Sequence, residues 1–443
     1  MSEKTNTTRR DFLRSTAAVS AAALLAGCAA TEAQEKTAVA SSPATAPAVH
    51  VAGKERIRVG MVGCGGRGTG AARDAIQASK QVEIVALGDL VPDRLASSRE
   101  QLQKSGEQCK VTDEKCFTGF DCYKKVIDCD IDYVILTAPP GFRPMHFDYA
   151  IEKGRHVFAE KPVAVDPAGV RRFLETTKKA DAKKLSVVGG FVFRREPTHI
   201  EIIKRIHDGE IGEITGGSSY YNVGYLWNHP RQPEWSELEY QCRNWLYFTW
   251  LSGDLIVEQN IHRLDIQNWI MKCPPVAAYG MGGRQVRVDP AFGNIYDHFA
   301  VEYEYPNGVK ITNMCRQIDG CDNRVSEEYH GTKGVANPGG SAFIQVNGGK
   351  KIRIKEQSLA DAYCKEHKDL IEAITTGTHV NEGQRLADSS LTAIMGRMSA
   401  YTGKTVTWEA AQESKLDLWP KEPLVMGPFP VAPVAVPGKD PLV

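Results

Sequence analysis

The chain has 443 residues, 42% of them hydrophobic and 24% charged, enough for two ordinary cores. Its 54 basic and 54 acidic residues cancel, which excludes a broad basic face for nucleic acid or an anionic membrane and points to a small-molecule partner. Beyond the N-terminal segment, no apolar run reaches the roughly 18 residues that span a bilayer.

At the N-terminus, Thr8-Arg9-Arg10-Asp11-Phe12-Leu13-Arg14 stands before an Ala- and Leu-rich stretch from Ala17 to Ala26, which ends in Leu25-Ala26-Gly27-Cys28. This resembles a twin-arginine export signal joined to a lipoprotein cleavage box. Residues 1–28 are therefore expected to be a signal, with Cys28 the lipidated first residue of an exported protein held in the periplasm or cell envelope. Residues 29–55, rich in Ala, Thr, Ser and Pro, hold too few large apolar groups to offset chain entropy and read as a flexible linker. Of the eleven cysteines, Cys109, Cys116, Cys122 and Cys129 lie close together. They form no C-x-x-C pair and fit no zinc spacing, so scattered buried thiols are expected and no metal.

From Arg56 the pattern becomes regular. Ile57 to Val62 is a short β-rich run, followed at once by Gly63-Cys64-Gly65-Gly66-Arg67-Gly68 and a helical stretch from Thr69 to Ser79. Strand, glycine turn and helix in this order suit a dinucleotide, because the glycines allow a tight turn, close backbone approach to a pyrophosphate and close packing of helix on strand. The N–H groups at the helix start then face the phosphates. A second strand, Val82 to Leu87, ends at Gly88-Asp89, about 20 residues past Gly68, where an acid accepts the ribose hydroxyls. Asp89 favours NAD, while Arg94 five residues on could receive the extra phosphate of NADP. Strands at Tyr133–Leu136, His156–Phe158 and Leu185–Val188 alternate with helices, as a doubly wound parallel sheet over residues 56–188 requires.

Three of these strand ends carry chemical groups: Ala138-Pro139-Pro140 with His146 downstream, Glu160-Lys161-Pro162, and Gly189-Gly190-Phe191. Here the chain resembles the Gfo/Idh/MocA oxidoreductase family. The resemblance implies cofactor contacts from Gly63, Gly65, Gly66, Arg67, Gly68, Asp89, Pro140, His146 and Glu160, and an active-site role for Lys161, which also borders the cofactor.

Residues 189–418 read as a substrate-binding and catalytic α+β domain with an open, mainly antiparallel sheet, and 419–443 as a Pro-rich tail or strap. After Arg194-Arg195-Glu196-Pro197 come a helix (His199–His207), a turn at Gly209–Gly212 and a strand ending at Tyr220-Tyr221. The loop through Trp227-Asn228-His229-Pro230-Arg231 and Arg243-Asn244-Trp245 mixes aromatics with hydrogen-bonding groups. That composition suits the faces and hydroxyl rims of sugars and equally suits a packed aromatic loop. Arg195, Tyr221, Trp227, Asn228, Arg231, Arg243 and Asn244 are the candidate substrate contacts. In Asp254 to Asp265, Glu258 and His262 stand four apart and would share a helix face, with Asp265 within reach of His262. A carboxylate beside a histidine would hold its pKa near neutrality for proton abstraction. In the resembling family an Asp stands where Glu258 does, and His262 and Asp265 match. His298–Tyr305, Pro306-Asn307-Gly308 and Val309–Thr312 read as a hairpin, with further strands at Val276–Tyr279 and Lys351–Lys355 and helices over Asp361–Thr375 and Arg385–Tyr401.

The expected function is hydride transfer between a retained nicotinamide cofactor, NAD with NADP admitted by Arg94, and a sugar or glycoside hydroxyl. Lys161 would orient the hydroxyl, His262 would act as base, and Glu258 or Asp265 would orient His262. An envelope location holds little free NAD, so the cofactor should be recycled in place. The alternatives are an NAD-dependent glycosidase, resembling the α-N-acetylgalactosaminidase branch, and a binding protein without turnover. The resemblance also implies a homo-oligomer.

Overall fold

The computed structural model describes residues 55–355 and 357–441. The expected export signal, the lipidation site Cys28 and nearly all of the linker lie outside the described residues. The described residues fall in one compact unit, and within them no helix is long and apolar enough to cross a membrane.

The first sheet has six parallel strands: β1 (Ile57–Val62), β2 (Val82–Asp89), β3 (Cys116–Thr118), β4 (Tyr133–Leu136), β5 (His156–Ala159) and β6 (Val187–Gly189), in the order β3-β2-β1-β4-β5-β6. Ile57, Val59, Met61, Tyr133, Val134, Ile135, Val157 and Phe158 are all fully buried. Central strands covered by helices on both faces need this unbroken apolar composition. The order reverses between β1 and β4, which opens a crevice at their carboxyl ends. The glycine turn follows β1, Asp89 closes β2, Thr137-Ala138 follows β4, and Glu160-Lys161 follows β5.

The first helix runs over Gly66–Ala78, three residues ahead of the predicted start. Gly65 is its N-cap, and Thr69 N–H donates to the Gly65 carbonyl at 2.9 Å. The glycines thus sit in the first turn, where helix N–H groups have no partner and the usual cost of glycine in a helix interior is small. Two of them leave no room for a side chain. Gly63 has φ +99°, and a Cβ there would lie 2.4 Å from the Ala138 nitrogen; a Cβ on Gly68 would lie 1.8 Å from the Gly63 carbonyl oxygen.

The second sheet has nine strands: β7 (Ile214–Val223), β8 (Ala277–Gly283), β9 (His298–Glu304), β10 (Lys310–Gln317), β11 (Arg324–Gly331), β12 (Gly334–Asn337), β13 (Phe343–Val346), β14 (Ile352–Arg353) and β15 (Val406–Thr407). Their order is β14-β13-β12-β11-β7-β10-β9-β8-β15. All neighbours are antiparallel except β7 and β10. The predicted hairpin is β9 to β10, with Lys310 opposite Glu304. Helices Ile261–Met271 and Gly383–Thr402 cover the inner face, the second buried along nearly its whole length.

Helix Leu359–Thr376 follows all but the last strand of this sheet in the chain yet packs on helix Gly66–Ala78 and β6. Its Leu370, Ile371 and Ile374 join the core formed by Ile57, Val59, Ile84 and Tyr133. The Pro-rich end is a strap over its described length. Phe429 packs on Trp250 with ring centroids 5.3 Å apart, the Tyr296 hydroxyl donates to the Ala435 carbonyl at 2.9 Å, and Gly438 N–H donates to the Thr402 carbonyl. Ten described cysteines are free thiols, half of them buried.

The Gly68 contact yields the first prediction. Gly68→Ala should lower the unfolding free energy by about 2–4 kcal/mol, because the clash is with backbone that cannot swing aside; urea denaturation measures it, and an unchanged midpoint would contradict the packing described.

Candidate functional site

Two neighbouring cavities line the crevice, and Ala138 borders both. The smaller, about 50 Å³, is walled by Gly63, Asp89, Leu90, Val91, Arg94, Phe142, His146 and Cys242, among others. Asp89 is held rigidly: one carboxylate oxygen accepts Cys64 N–H at 2.6 Å and the other accepts Val91 N–H at 2.8 Å. Burial raises its pKa, opposed by those two N–H groups. Both oxygens retain lone pairs for ribose hydroxyls. Arg94 borders the same cavity but donates through Nη2 to the Arg243 carbonyl at 2.8 Å. His146 stacks on Tyr123 at 4.3 Å and is pushed down to about 3 by burial, with Arg143 and Arg172 adding to the shift. It forms part of the apolar wall as a neutral ring.

The turn itself fits a diphosphate. A Cβ on Gly65 or Gly66 would meet nothing within 4 Å, so open space lies against the helix start where unpartnered N–H groups gather. The chain therefore offers phosphate room at Gly65-Gly66-Arg67, a fixed acid for ribose at Asp89 and an apolar slot beyond.

The larger cavity, about 230 Å³, is bordered by Arg67, Thr137, Pro140, Arg143, Glu160, Lys161, Trp245, Glu258, His262 and Tyr363. Lys161 Nζ donates to Glu258 Oε1 at 2.7 Å and to the Glu258 carbonyl at 2.6 Å. Glu258 ends a single helical turn, Leu255–Glu258, and a new helix starts at Ile261. Asp254 makes that geometry: with φ +81° it follows Gly253 at φ +76°, and its carboxylate accepts the N–H groups of Leu255 and Tyr296 and the Tyr401 hydroxyl. Burial raises its pKa to about 6. From the other side Arg397 Nη1 donates to the carbonyls of Gly253 and Val165.

His262 lies among Phe191 and Phe193, both edge-on, and its Nδ1 is buried without a partner. Burial, with the Lys161 and Arg263 cations nearby, holds its pKa well below the ordinary imidazole value. The expected carboxylate support is therefore corrected. Asp265 turns away from His262: its two oxygens accept Arg194 Nε at 2.8 Å and Nη2 at 2.9 Å, and Ser389 donates at 2.8 Å. Although burial opposes ionisation, Arg194 holds the Asp265 carboxyl below the usual range. Glu258 is committed to Lys161. The break at Gln259-Asn260 removes the shared helix face that spacing alone implied, although Glu258 and His262 still meet at the cavity.

Most of the expected substrate contacts lie elsewhere. Arg195 pairs with Glu382 at 2.7 Å and Asp369 at 3.2 Å. Arg243 pairs with Asp93 and Glu239, beside the smaller cavity. Asn244 is fully buried and clamps the His229 backbone, Asn228 donates to the Ala291 carbonyl, and Arg231 pairs with Glu237 over the Tyr240 ring. Each has found an acceptor or carboxylate within the protein. Trp227 remains 40% exposed and packs toward Trp245 at 6.1 Å, and Tyr221 is half-buried within electrostatic reach of Lys161 and Glu258. Arg143 and Tyr363, which no motif marked, border the larger cavity. Arg143 supports the walls by donating to the carbonyls of Ala138 and Pro162. Among the described residues no group of three or more His, Cys, Asp or Glu could hold a metal.

A Rossmann sheet with a glycine turn and a lysine beyond β5, followed by a sheet-and-helix domain that brings a glutamate and a histidine to the same crevice, defines the class of dinucleotide-dependent oxidoreductases. The chain belongs to the Gfo/Idh/MocA family. Residues 57–188 match its model described as an oxidoreductase family, NAD-binding Rossmann fold, and residues 199–337 match the GFO/IDH/MocA C-terminal domain. The N-terminal domain is accordingly an NAD-binding one. Among curated relatives, an inositol 2-dehydrogenase of Rhizobium meliloti is 24% identical over 76% of this chain and 97% of its own. A glycosyl hydrolase family 109 protein of Shewanella pealeana is 27% identical over 82% of this chain and 78% of its own. Among solved structures, scyllo-inositol dehydrogenase from Lactobacillus casei with bound NAD(H) and scyllo-inositol shares the fold, with a TM-score of 0.61, 18% identity and coverage of 80% of this chain and 99% of that one.

The Asp265 correction is testable. Asp265→Asn leaves Arg194 buried against a neutral partner and should cost about 3–5 kcal/mol of stability. Because the folded pKa is depressed, the wild-type contribution is complete above the ordinary carboxylate pKa and is lost as pH falls through the folded value. The gap between the two proteins in unfolding free energy should therefore be full at neutral pH and narrow as pH falls below the ordinary carboxylate pKa; a constant gap would contradict the pairing.

Proposed function

We propose that the protein transfers hydride between a retained nicotinamide cofactor and a ring hydroxyl of a sugar or cyclic polyol. One observation carries this reading: Lys161, Glu258 and His262 converge on a single cavity beside the glycine turn. The residues that would hold the cofactor are Gly65, Gly66 and Arg67 at its phosphates, Asp89 at the ribose, and Pro140, Glu160 and Lys161 toward its reactive end. Asp89, with Arg94 already engaged by a carbonyl, favours NAD over NADP.

Bound NAD supplies the acceptor for the hydride that leaves the hydroxyl-bearing carbon. Lys161, locked by Glu258, offers its remaining N–H to the substrate oxygen and stabilises charge that grows there. His262, kept neutral by burial, takes the hydroxyl proton, so that loss of hydride and proton leaves a carbonyl. With a second, carbonyl-bearing substrate the same side chains would act in reverse, Lys161 holding the oxygen and His262 returning the proton. Trp227 and Trp245 suit the apolar face of a ring.

A second reading has support from the family 109 relative, which covers most of the chain: oxidation of a ring carbon, elimination of a glycosidic leaving group, and reduction of the same carbon. The two share the site and differ in the bond finally broken. Export and lipidation at Cys28 are also proposed, on the N-terminal motif alone. Cys28→Ala should move the protein from the membrane fraction to the soluble envelope fraction; equal fractionation would refute the anchor.

The main test begins with protein purified without added nucleotide, then denatured to release what it carries. NAD is expected by absorbance and mass. Lys161→Ala and His262→Ala should each lower kcat for polyol oxidation by about 100- to 10,000-fold, and activity unaffected in both variants would end the catalytic assignment. Release of nitrophenol from a nitrophenyl glycoside without added NAD would select the glycosidase reading.

A further inference from the structure

Arg67 is held at three points. Its Nε donates to Glu160 Oε1 at 2.8 Å, its Nη2 donates to Asp74 Oδ2 at 3.0 Å, and its guanidinium carbon lies 4.5 Å from the centroid of the Tyr363 ring. Nη1 takes no hydrogen bond among the described residues. Tyr363 comes from helix Leu359–Thr376, which packs against the helix that starts with the glycine turn, and both residues border the reaction cavity.

The charges explain why this grip matters. Two carboxylates, Asp74 and Glu160, stand beside a turn suited to a diphosphate, and of the three cations bordering the cavity only Arg67 belongs to that turn. Lys161 is engaged by Glu258, and Arg143 donates to two backbone carbonyls. Arg67 therefore has to shield a phosphate from both acids. An arginine fixed in advance by two carboxylates and a ring loses little rotamer freedom when its last nitrogen meets a phosphate oxygen. The ring contributes through its face, since a guanidinium over an aromatic ring is attracted by the ring quadrupole.

We propose that Tyr363 is a positioning residue for cofactor retention: its ring keeps Arg67 across the dinucleotide turn, so that bound NAD or NADH leaves slowly. This rests on the reading that the protein works with a retained nicotinamide cofactor. It assigns the slow step of exchange to a side chain about 300 residues from the glycine motif, on an element that otherwise serves the core.

The test loads the full chain with NADH, removes the free nucleotide, and follows the loss of protein-enhanced NADH fluorescence after dilution into excess NAD. Wild type and Tyr363→Phe should release slowly and at matching rates, because phenylalanine keeps the ring face. Tyr363→Leu, which keeps bulk and removes the ring, should release about tenfold faster, and Arg67→Lys at least as fast, at unchanged urea midpoints. Should Tyr363→Leu fail to fold, Tyr363→Met applies the same test with a flexible side chain. Release from Tyr363→Leu or Tyr363→Met at the wild-type rate, with Arg67→Lys fast, would overturn the role of Tyr363 and leave the retained cofactor standing. Wild type that keeps no NADH through desalting would overturn the retained cofactor and this inference with it.

Discussion

The ion pair between Lys161 and Glu258 is the contact on which the site depends. It joins the carboxyl end of β5 to the break between two helices of the later domain, with both side chains only 13% exposed. Removing either member would leave a charge with little water to replace its partner. Behind Glu258 the chain makes two successive residues with positive φ, Gly253 and Asp254, and for the second, whose ψ is extended, the conformation is costly. The Asp254 carboxylate and Arg397 hold that turn from opposite sides, so the position of Glu258, and through it Lys161, is set by side chains that never meet the cavity.

The same pattern of internal neutralisation extends around the crevice. At the crevice Arg67 meets Glu160 and Asp74, and away from it Arg194 meets Asp265 and Arg195 meets Glu382 and Asp369. A pocket whose charges are already paired has little to offer an anionic substrate beyond the phosphate turn. It suits a neutral, hydroxyl-rich ring recognised by shape, stacking and hydrogen bonds. This is consistent with the family to which the chain belongs and with the aromatic pair Trp227 and Trp245.

Much of the architecture was legible in the amino-acid pattern. The apolar runs of β1, β2, β4 and β5, the glycine turn, Asp89 and the β9–β10 hairpin all rest on short-range periodicity and turn chemistry, which a linear reading captures. The first helix begins earlier than expected because glycines weigh against helix in an interior and not at a first turn. The harder errors concern partners distant in sequence. Spacing placed Asp265 near His262, but Arg194, 71 residues away, captures the carboxylate on the buried face of the helix. Arg195, Arg243 and Asn244 looked available because nothing local revealed Glu382, Asp93 or the His229 backbone. Tyr363 carries no local signal, since its meaning comes from a helix that returns to the first sheet.

That returning helix has a consequence for how the protein is made. Leu370, Ile371 and Ile374 complete a core that is otherwise walled by β1, β2 and β4 and by Ala71, Ala75, Ile76, Leu95 and Leu102 from the first two helices, so the part of this face toward β5 and β6 lacks its cover until residue 376 has emerged from the ribosome. Between the end of β6 and that point lies the entire second sheet except its last strand. At about 5–20 residues per second, the nascent sheet waits roughly 10–40 s for the helix whose His367 stacks on Phe158, an interval in which that end of its apolar face is open to other chains.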